Sequence, residues 1–424
     1  MPKKHVLHIM PHMGGGVGKA MSSLVAGTGR EVRHSFILLE RPRNRQFLDG
    51  IAASGSEILI QPSRKIVDAC FDHADIVQVE WWNHPALFNF LCNDDLPPFR
   101  LLAWCHVSGL QAPVIPAGLV GLAERFIFTS GCSLEAENIL GLAEFDRCRL
   151  GVVSSGVGFP GGMPARRKGH SPLCFGYMGS LNFSKLHPRF VEYLSGVTLA
   201  DFQVQIWGDD QYSEALLCQC GEVGRSEVVA FRGYASDPEN TLKDMDIFVY
   251  LLNPAHYGTA ENVLLEAMSL GVVPIVMDNP AEMILVQDRK TGLIVSDGAE
   301  FSAAVAWLEK NPRELRKMSE NASAFVAREY TSKAMGEKMD QYYSQVLLSE
   351  KQQKDFGAAL GHGPYEWFLA CQDQKNIEAI RQGRVDLHLI TEETKGSLRH
   401  FADAFPEDCT LKAELARLVS LNAY

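Results

Sequence analysis

Three stretches of the chain bring chemically useful residue types to loop positions. The first is the run Pro11-His12-Met13-Gly14-Gly15-Gly16-Val17-Gly18-Lys19. Glycines at a helix start let backbone N–H groups approach an oxyanion closely. Gly15 and Gly16 are therefore candidate contacts to an anionic or sugar ligand. The run is not a phosphate-binding P-loop. Met13 stands where that motif needs its first glycine, and Ala20 follows Lys19 where a magnesium-binding hydroxyl is required. The second stretch is Tyr257–Met268, a polar turn entering an apolar helix. A helix start offers unsatisfied N–H donors and a positive dipole end. That end suits a diphosphate held at Gly258, Thr259, Ala260, Asn262 and Val263. The carboxylates of Glu261 and Glu266 can each accept two hydrogen bonds from vicinal hydroxyls. The third is Lys185, in a loop after a glycine-containing strand end, where a cation would stabilise charge gathering on a departing diphosphate.

A further group lies in the first third of the chain. His106 follows the apolar strand Leu101–Cys105, and the segment Trp81-Trp82-Asn83-His84 follows another. Adjacent indoles at a strand end form a platform for a sugar or apolar acceptor. His12, Trp81, Trp82 and His84 are the acceptor-binding candidates. No metal site is expected. Asp244-Met245-Asp246 straddles a helix end and a strand start, and Asp209-Asp210 reads as a helix cap. The ten cysteines give no zinc-ligand spacing. Most sit in apolar runs and read as free thiols, which points to a reducing cytoplasm.

The elements that must position these residues follow a βαβα rhythm. Strands are predicted at His5–Met10, His34–Leu39, Glu57–Gln61, Asp75–Glu80, Arg100–Cys105, Arg125–Thr129 and Arg149–Val153. Their apolar runs alternate weakly, as parallel strands buried on both faces do. Helices are predicted between them, including one over Ser133–Leu142. A Gly/Pro/basic stretch at 156–168 reads as a linker. The rhythm then restarts with strands at Leu173–Met178, Gln203–Trp207, Val228–Phe231, Asp246–Leu251, Val272–Val276 and Leu293–Ser296. The expectation is an α/β protein with two Rossmann-like, doubly wound domains facing across a cleft, residues 1–160 and 161–348. Ligands in such sheets bind beyond the carboxyl ends of the strands. Residues 349–424 have helical periodicity without strands and are expected to form a helical appendage.

Of the 424 residues, 40 are basic and 51 acidic, giving a net charge of −11. That balance argues against a nucleic-acid partner. No apolar run is long enough to span a membrane, and the N-terminus lacks the core of a signal peptide. The expected location is the cytoplasm. Basic clusters at Arg41/Arg43/Arg45, Arg64-Lys65 and Arg166-Arg167-Lys168 read as solvated faces, with peripheral contact to the inner membrane face as the sharper reading.

The run Glu261–Pro274, ENVLLEAMSLGVVP, resembles the donor-binding helix and following strand of retaining glycosyltransferases of family 4, which have the GT-B fold. Matching segments occur in the family's order: His8–Met21, Val152–Pro160, Phe175–Pro188, Phe202–Asp210 and Asn279–Val295. The resemblance implies metal-independent transfer of a sugar from a UDP- or GDP-sugar to a glycan or lipid-linked acceptor, with retention of anomeric configuration. No cofactor is implied, since the nucleotide sugar is a substrate. The second glutamate of the family's E-x7-E motif, the ribose-binding one, falls on Glu266. The diphosphate-binding lysine falls on Lys185, and a first-domain histidine near the transferred sugar falls on His106. Two positions depart from the pattern. The first motif glutamate falls on Gly258, with Glu261 a nearby candidate substitute, and the family's arginine falls near Ser180. Two other readings stay open: a catalytically degenerate GT-B module partnering another transferase or a second copy through the appendage, and a sugar-nucleotide epimerase.

Overall fold

The computed structural model describes residues 3–42, 45–93, 95–157, 159, 172–208, 213–259, 261–394 and 396–422. The 160–168 part of the linker with its basic cluster, Asp209-Asp210 and Ala260 therefore lie outside the described residues. The chain divides into two compact units, Met1–Ser154 with Met335–Tyr424, and Ser155–Ala334.

Among the described residues the first unit holds seven parallel strands: β1 (Lys4–Met10), β2 (Val32–Leu38), β3 (Glu57–Ile60), β4 (Ile76–Trp81), β5 (Leu101–Cys105), β6 (Arg125–Phe128) and β7 (Leu150–Val152). Their spatial order is β3-β2-β1-β4-β5-β6-β7. The order reverses between β1 and β4, so the loops after those strands diverge at a switch point, where such sheets open a ligand crevice. The described residues of the second unit form six parallel strands: β8 (Phe175–Met178), β9 (Val204–Trp207), β10 (Val229–Phe231), β11 (Ile247–Tyr250), β12 (Val273–Met277) and β13 (Leu293–Val295). Their order is β10-β9-β8-β11-β12-β13, with the switch between β8 and β11. Lys185 follows β8, and the Tyr257–Glu261 turn follows β11, so both flank this switch.

The structure departs from the expected helix over Ser133–Leu142. The segment instead forms a 3-10 turn at Gly131–Glu135 and a short helix at Glu137–Leu140, divided by Ala136 in an extended conformation. No helix among the described residues is long and apolar enough to cross a membrane.

Helix Ser332–Val346 returns the chain to the first unit. Its Met335, Met339, Tyr343 and Val346 join Val6, Met21 and Trp104 in one core. The residues beyond it are folded into the same unit. Gln352 pairs with Phe99 through two backbone hydrogen bonds of 3.0 and 3.1 Å. Phe88 stacks on Trp367 at 6.1 Å and meets the edge of Phe401 at 5.6 Å. Lys354 and Glu124 form a buried ion pair. Asp355, Asp373, Ser397 and Asp408 each cap a helix of this region by accepting from a backbone N–H.

Candidate functional site

In the second unit the site is built around the helix Asn262–Ser269. Glu261, its N-cap, has φ 31° and ψ 61°, in the left-handed region. Its carbonyl accepts the first helical bonds, from Leu264 N–H at 2.9 Å and Leu265 N–H at 3.2 Å. Its side chain turns inward and is buried. Glu261 Oε2 accepts from Lys185 Nζ at 2.8 Å and from the Tyr250 hydroxyl. Lys185 Nζ also lies 5.6 Å from the Tyr250 ring centroid. Burial opposes the charge on Glu261, but Lys185, His256 and the two hydrogen bonds bring its pKa down to about 2. Burial likewise opposes the charge on Lys185, and the Glu261 carboxylate outweighs it, holding the ammonium well above its ordinary pKa. The pair is ionised, and 22 % of the Lys185 side chain remains exposed.

Gly258 explains why the carboxylate sits there. A Cβ on Gly258 would run into Glu261 Oε1 and lie 2.9 Å from His256 Nδ1. The Glu261 carboxylate thus fills the space from which a side chain at position 258 would start. His256 holds the turn in place: its Nδ1 accepts from Gly258 N–H at 3.0 Å, and its Nε2 faces Glu282 Oε2 at 3.2 Å. Burial favours the neutral ring, yet the Glu282 hydrogen bond and the nearby carboxylates raise its pKa above 6.5. Glu282 is fully buried, and its Oε1 has no hydrogen-bond partner among the described residues. His256, Glu261 and Glu282 offer ligand atoms within 4.8 Å of one another. Two of these groups also have partners outside the set: His256 Nδ1 accepts from Gly258 N–H, and Glu261 Oε2 accepts from Lys185 Nζ.

The structure thus brings Lys185, Glu261 and Gly258 together. Thr259 is buried beside them in sequence, and Asn262 and Val263 open the helix half-buried. Glu266 is buried further along the same helix. Ser180 is exposed, and its carbonyl accepts from Tyr177. Sequence reasoning missed Tyr250, His256 and Glu282. Their signal was weak, since each contributes only through its geometry around Glu261.

In the first unit, Gly15 and Gly16 are exposed at the start of helix Gly15–Thr28, with Gly15 at φ 57°. His12, Trp82, His84 and His106 share one neighbourhood. Trp82 lies 5.5 Å from His12, 6.0 Å from His84 and 6.2 Å from His106, centroid to centroid. Trp81 does not belong there. It lies within β4, is fully buried and meets Phe88 at 5.1 Å, because successive strand residues point to opposite faces. Of the two indoles, Trp82 is the one that lies among these histidines.

His106 Nε2 bonds Glu80 Oε2 at 2.9 Å, and Glu80 is fully buried. Its other oxygen meets His8 Nδ1 at 2.8 Å and accepts from Gln78 at 2.7 Å. The chain continues from His8 to His34 at 2.8 Å and from His34 to Thr28 at 2.7 Å. Burial would raise the Glu80 pKa, but the two histidines hold it below the usual carboxylate range. Glu80 was also missed, although a carboxylate inside the apolar run Val77–Trp82 is a readable signal.

Residues 164–325, most of the second unit, match the family model described as Glycosyl transferases group 1. No curated protein matches the chain. Solved structures do. A glycosyltransferase from Rickettsia africae aligns with a TM-score of 0.62 at 13 % identity, over 82 % of this chain and all of that one. The Anabaena protein Alr3699/HepE in complex with UDP aligns with a TM-score of 0.62 at 14 % identity, over 80 % of this chain and 99 % of that one. Sucrose-phosphate synthase from Thermosynechococcus elongatus gives 0.62 at 14 %, over 82 % and 100 %. At such identities the likeness establishes the architecture, two Rossmann-like units of the GT-B fold, while the group 1 glycosyl transferase match lies on the unit that carries Lys185, Glu261 and Glu266.

Proposed function

We propose that the protein transfers a sugar from a nucleotide diphosphate sugar to a glycan or lipid-linked acceptor, with retention at the anomeric carbon. The observation that carries this reading is the Lys185–Glu261 pair at the start of helix Asn262–Ser269, inside the stretch matched by the glycosyl transferase model. The Anabaena relative of like fold is described with UDP and with UDP-glucose, which favours a uridine donor here.

In this reading the free protein keeps Lys185 neutralised by Glu261. An arriving diphosphate takes the exposed part of the ammonium and the helix-start N–H groups of Asn262 and Val263. Glu261, its partner now shared, accepts a hydrogen bond from a donor-sugar hydroxyl, as a motif glutamate at position 258 would. Glu266 accepts from the ribose hydroxyls. The bond between the anomeric carbon and the diphosphate oxygen breaks, with negative charge gathering opposite Lys185. The acceptor oxygen bonds to the same face of that carbon, and its proton passes to the departing phosphate. No enzyme carboxylate becomes bonded to the sugar. Trapping a covalent glycosyl-enzyme would contradict that route.

The test is a thermal-shift panel of UDP-, GDP- and ADP-sugars on the purified chain. A ligand selective for the native state raises the melting point. One base should stabilise the wild type and lose its effect on Lys185→Ala and Glu266→Ala. Equal stabilisation of all three proteins would remove the reading.

A further inference from the structure

We propose that the C-terminal helical region completes the acceptor site of the first unit, with His400 as a wall of a carbohydrate subsite shared with His12 and Trp82 and backed by the buried His84. The inference rests on the reading that the first unit takes the acceptor, and it assigns a role to residues that the resemblance does not cover.

The segment Gly396–His400 is built directly onto the loop after β4. Asn83 Nδ2 donates to the Gly396 carbonyl at 3.3 Å, and a Cβ on Gly396, at φ 70°, would run into Asn83. Only glycine permits that approach. Ser397 then caps helix Leu398–Ala404 by accepting from His400 N–H at 3.0 Å. Phe401, one residue on, is buried against Phe88. These contacts fix the backbone of His400 from both sides. Its Nδ1 accepts from Gly396 N–H at 3.1 Å, which leaves the proton on Nε2. Its ring stands edge-on to His84 at 4.8 Å. His84 lies 5.7 Å from His12, which lies 5.5 Å from Trp82.

The chemistry of this wall selects its ligand. Indole and imidazole each combine a flat apolar face with a polar rim. A pyranose has the matching form, with C–H groups on its faces and hydroxyls around the edge. The carboxylate of Glu40, 3.7 Å from His84 Nε2 and 46 % exposed, adds an acceptor for hydroxyl pairs. An anionic group is a poorer match. His84 Nδ1 accepts from Ala86 N–H at 3.2 Å, so this ring is neutral. Burial and its histidine neighbours keep its pKa low, at about 2. A sugar ring is therefore the better occupant than a phosphate.

The experiment uses the full chain with 13C-labelled histidine rings, titrated with methyl α- and β-glycosides of glucose, galactose, mannose and N-acetylglucosamine. At least one glycoside should shift the His400 and His12 ring signals saturably. His388, exposed and paired with Asp386 at 3.1 Å, should not move. His400→Asn keeps an acceptor for Gly396 N–H but removes the wall. It should weaken that glycoside by about tenfold, the scale of a lost hydrogen bond with its stacking contact, and leave nucleotide-induced thermal stabilisation unchanged. The inference is overturned if no glycoside moves His400, or if His400→Asn binds as the wild type does. If His400 responds but no nucleotide stabilises the chain, the donor reading fails and the subsite stands.

Discussion

Glu261 holds a backbone conformation that side-chain-bearing residues rarely adopt, φ 31°, at the head of a helix. Such strain costs on the order of 1–3 kcal/mol and persists where the surroundings over-determine it. Here Lys185, Tyr250 and the empty Cβ position of Gly258 do so. The geometry predicts that Gly258→Glu alone is inactive, since two carboxylates then compete for one space. Gly258→Glu combined with Glu261→Gly should regain donor turnover, measured as release of the nucleoside diphosphate. Lys185→Met should lower unfolding free energy by about 3 kcal/mol, because it strands a buried carboxylate. Adding Glu261→Gln should recover most of that loss in urea titrations. The pH dependence has a definite sign. Glu261 is depressed from 4.5 to about 2, so its contribution is full above its unfolded pKa and disappears as pH falls toward 2. Between about pH 5 and pH 3 the urea midpoint of the wild type should drop more steeply than that of Lys185→Met/Glu261→Gln.

At the scale of elements, close approach decides which contacts form. Helix Ser332–Val346 crosses helix Gly15–Thr28 with Gly336 against the Gly27 backbone, where a Cβ would collide. Gly336→Val should destabilise the first unit by about 1–3 kcal/mol, the usual range for overpacking, read by urea unfolding. The same crossing shows what a sequence does and does not reveal. The thirteen strands of the described residues were legible as apolar runs within a residue or two, because most are parallel strands buried in the sheet and written in Val, Ile and Leu. The apolar spacing of Ser133–Leu142 fits a single helix. Ala136, which breaks it, carries no local mark. Lys185, Glu261 and Glu266 were legible as charges at loop and helix positions. The overlap of Glu261 with position 258 was not, since it depends on one left-handed residue. Trp81 and Trp82 were indistinguishable until the strand end was placed between them.

For the molecule as a whole, the C-terminal region matters most. Its helical character was readable from periodicity, but its attachment was not, because Phe99–Gln352, Phe88–Trp367 and Glu124–Lys354 join residues far apart in sequence. A chain ending at residue 348 would expose Phe88 and Phe99. It should be insoluble or melt well below the full chain in calorimetry, whereas a detachable docking element would leave the melting point of residues 1–348 unchanged. In the other unit, the proposed role of Lys185 is to hold the donor diphosphate. Isothermal titration of nucleoside diphosphate against its monophosphate, for the base selected by thermal shift, tests it most directly. The diphosphate should bind more tightly to the wild type, and Lys185→Met should erase that difference. A preference of equal size in both proteins would contradict the account.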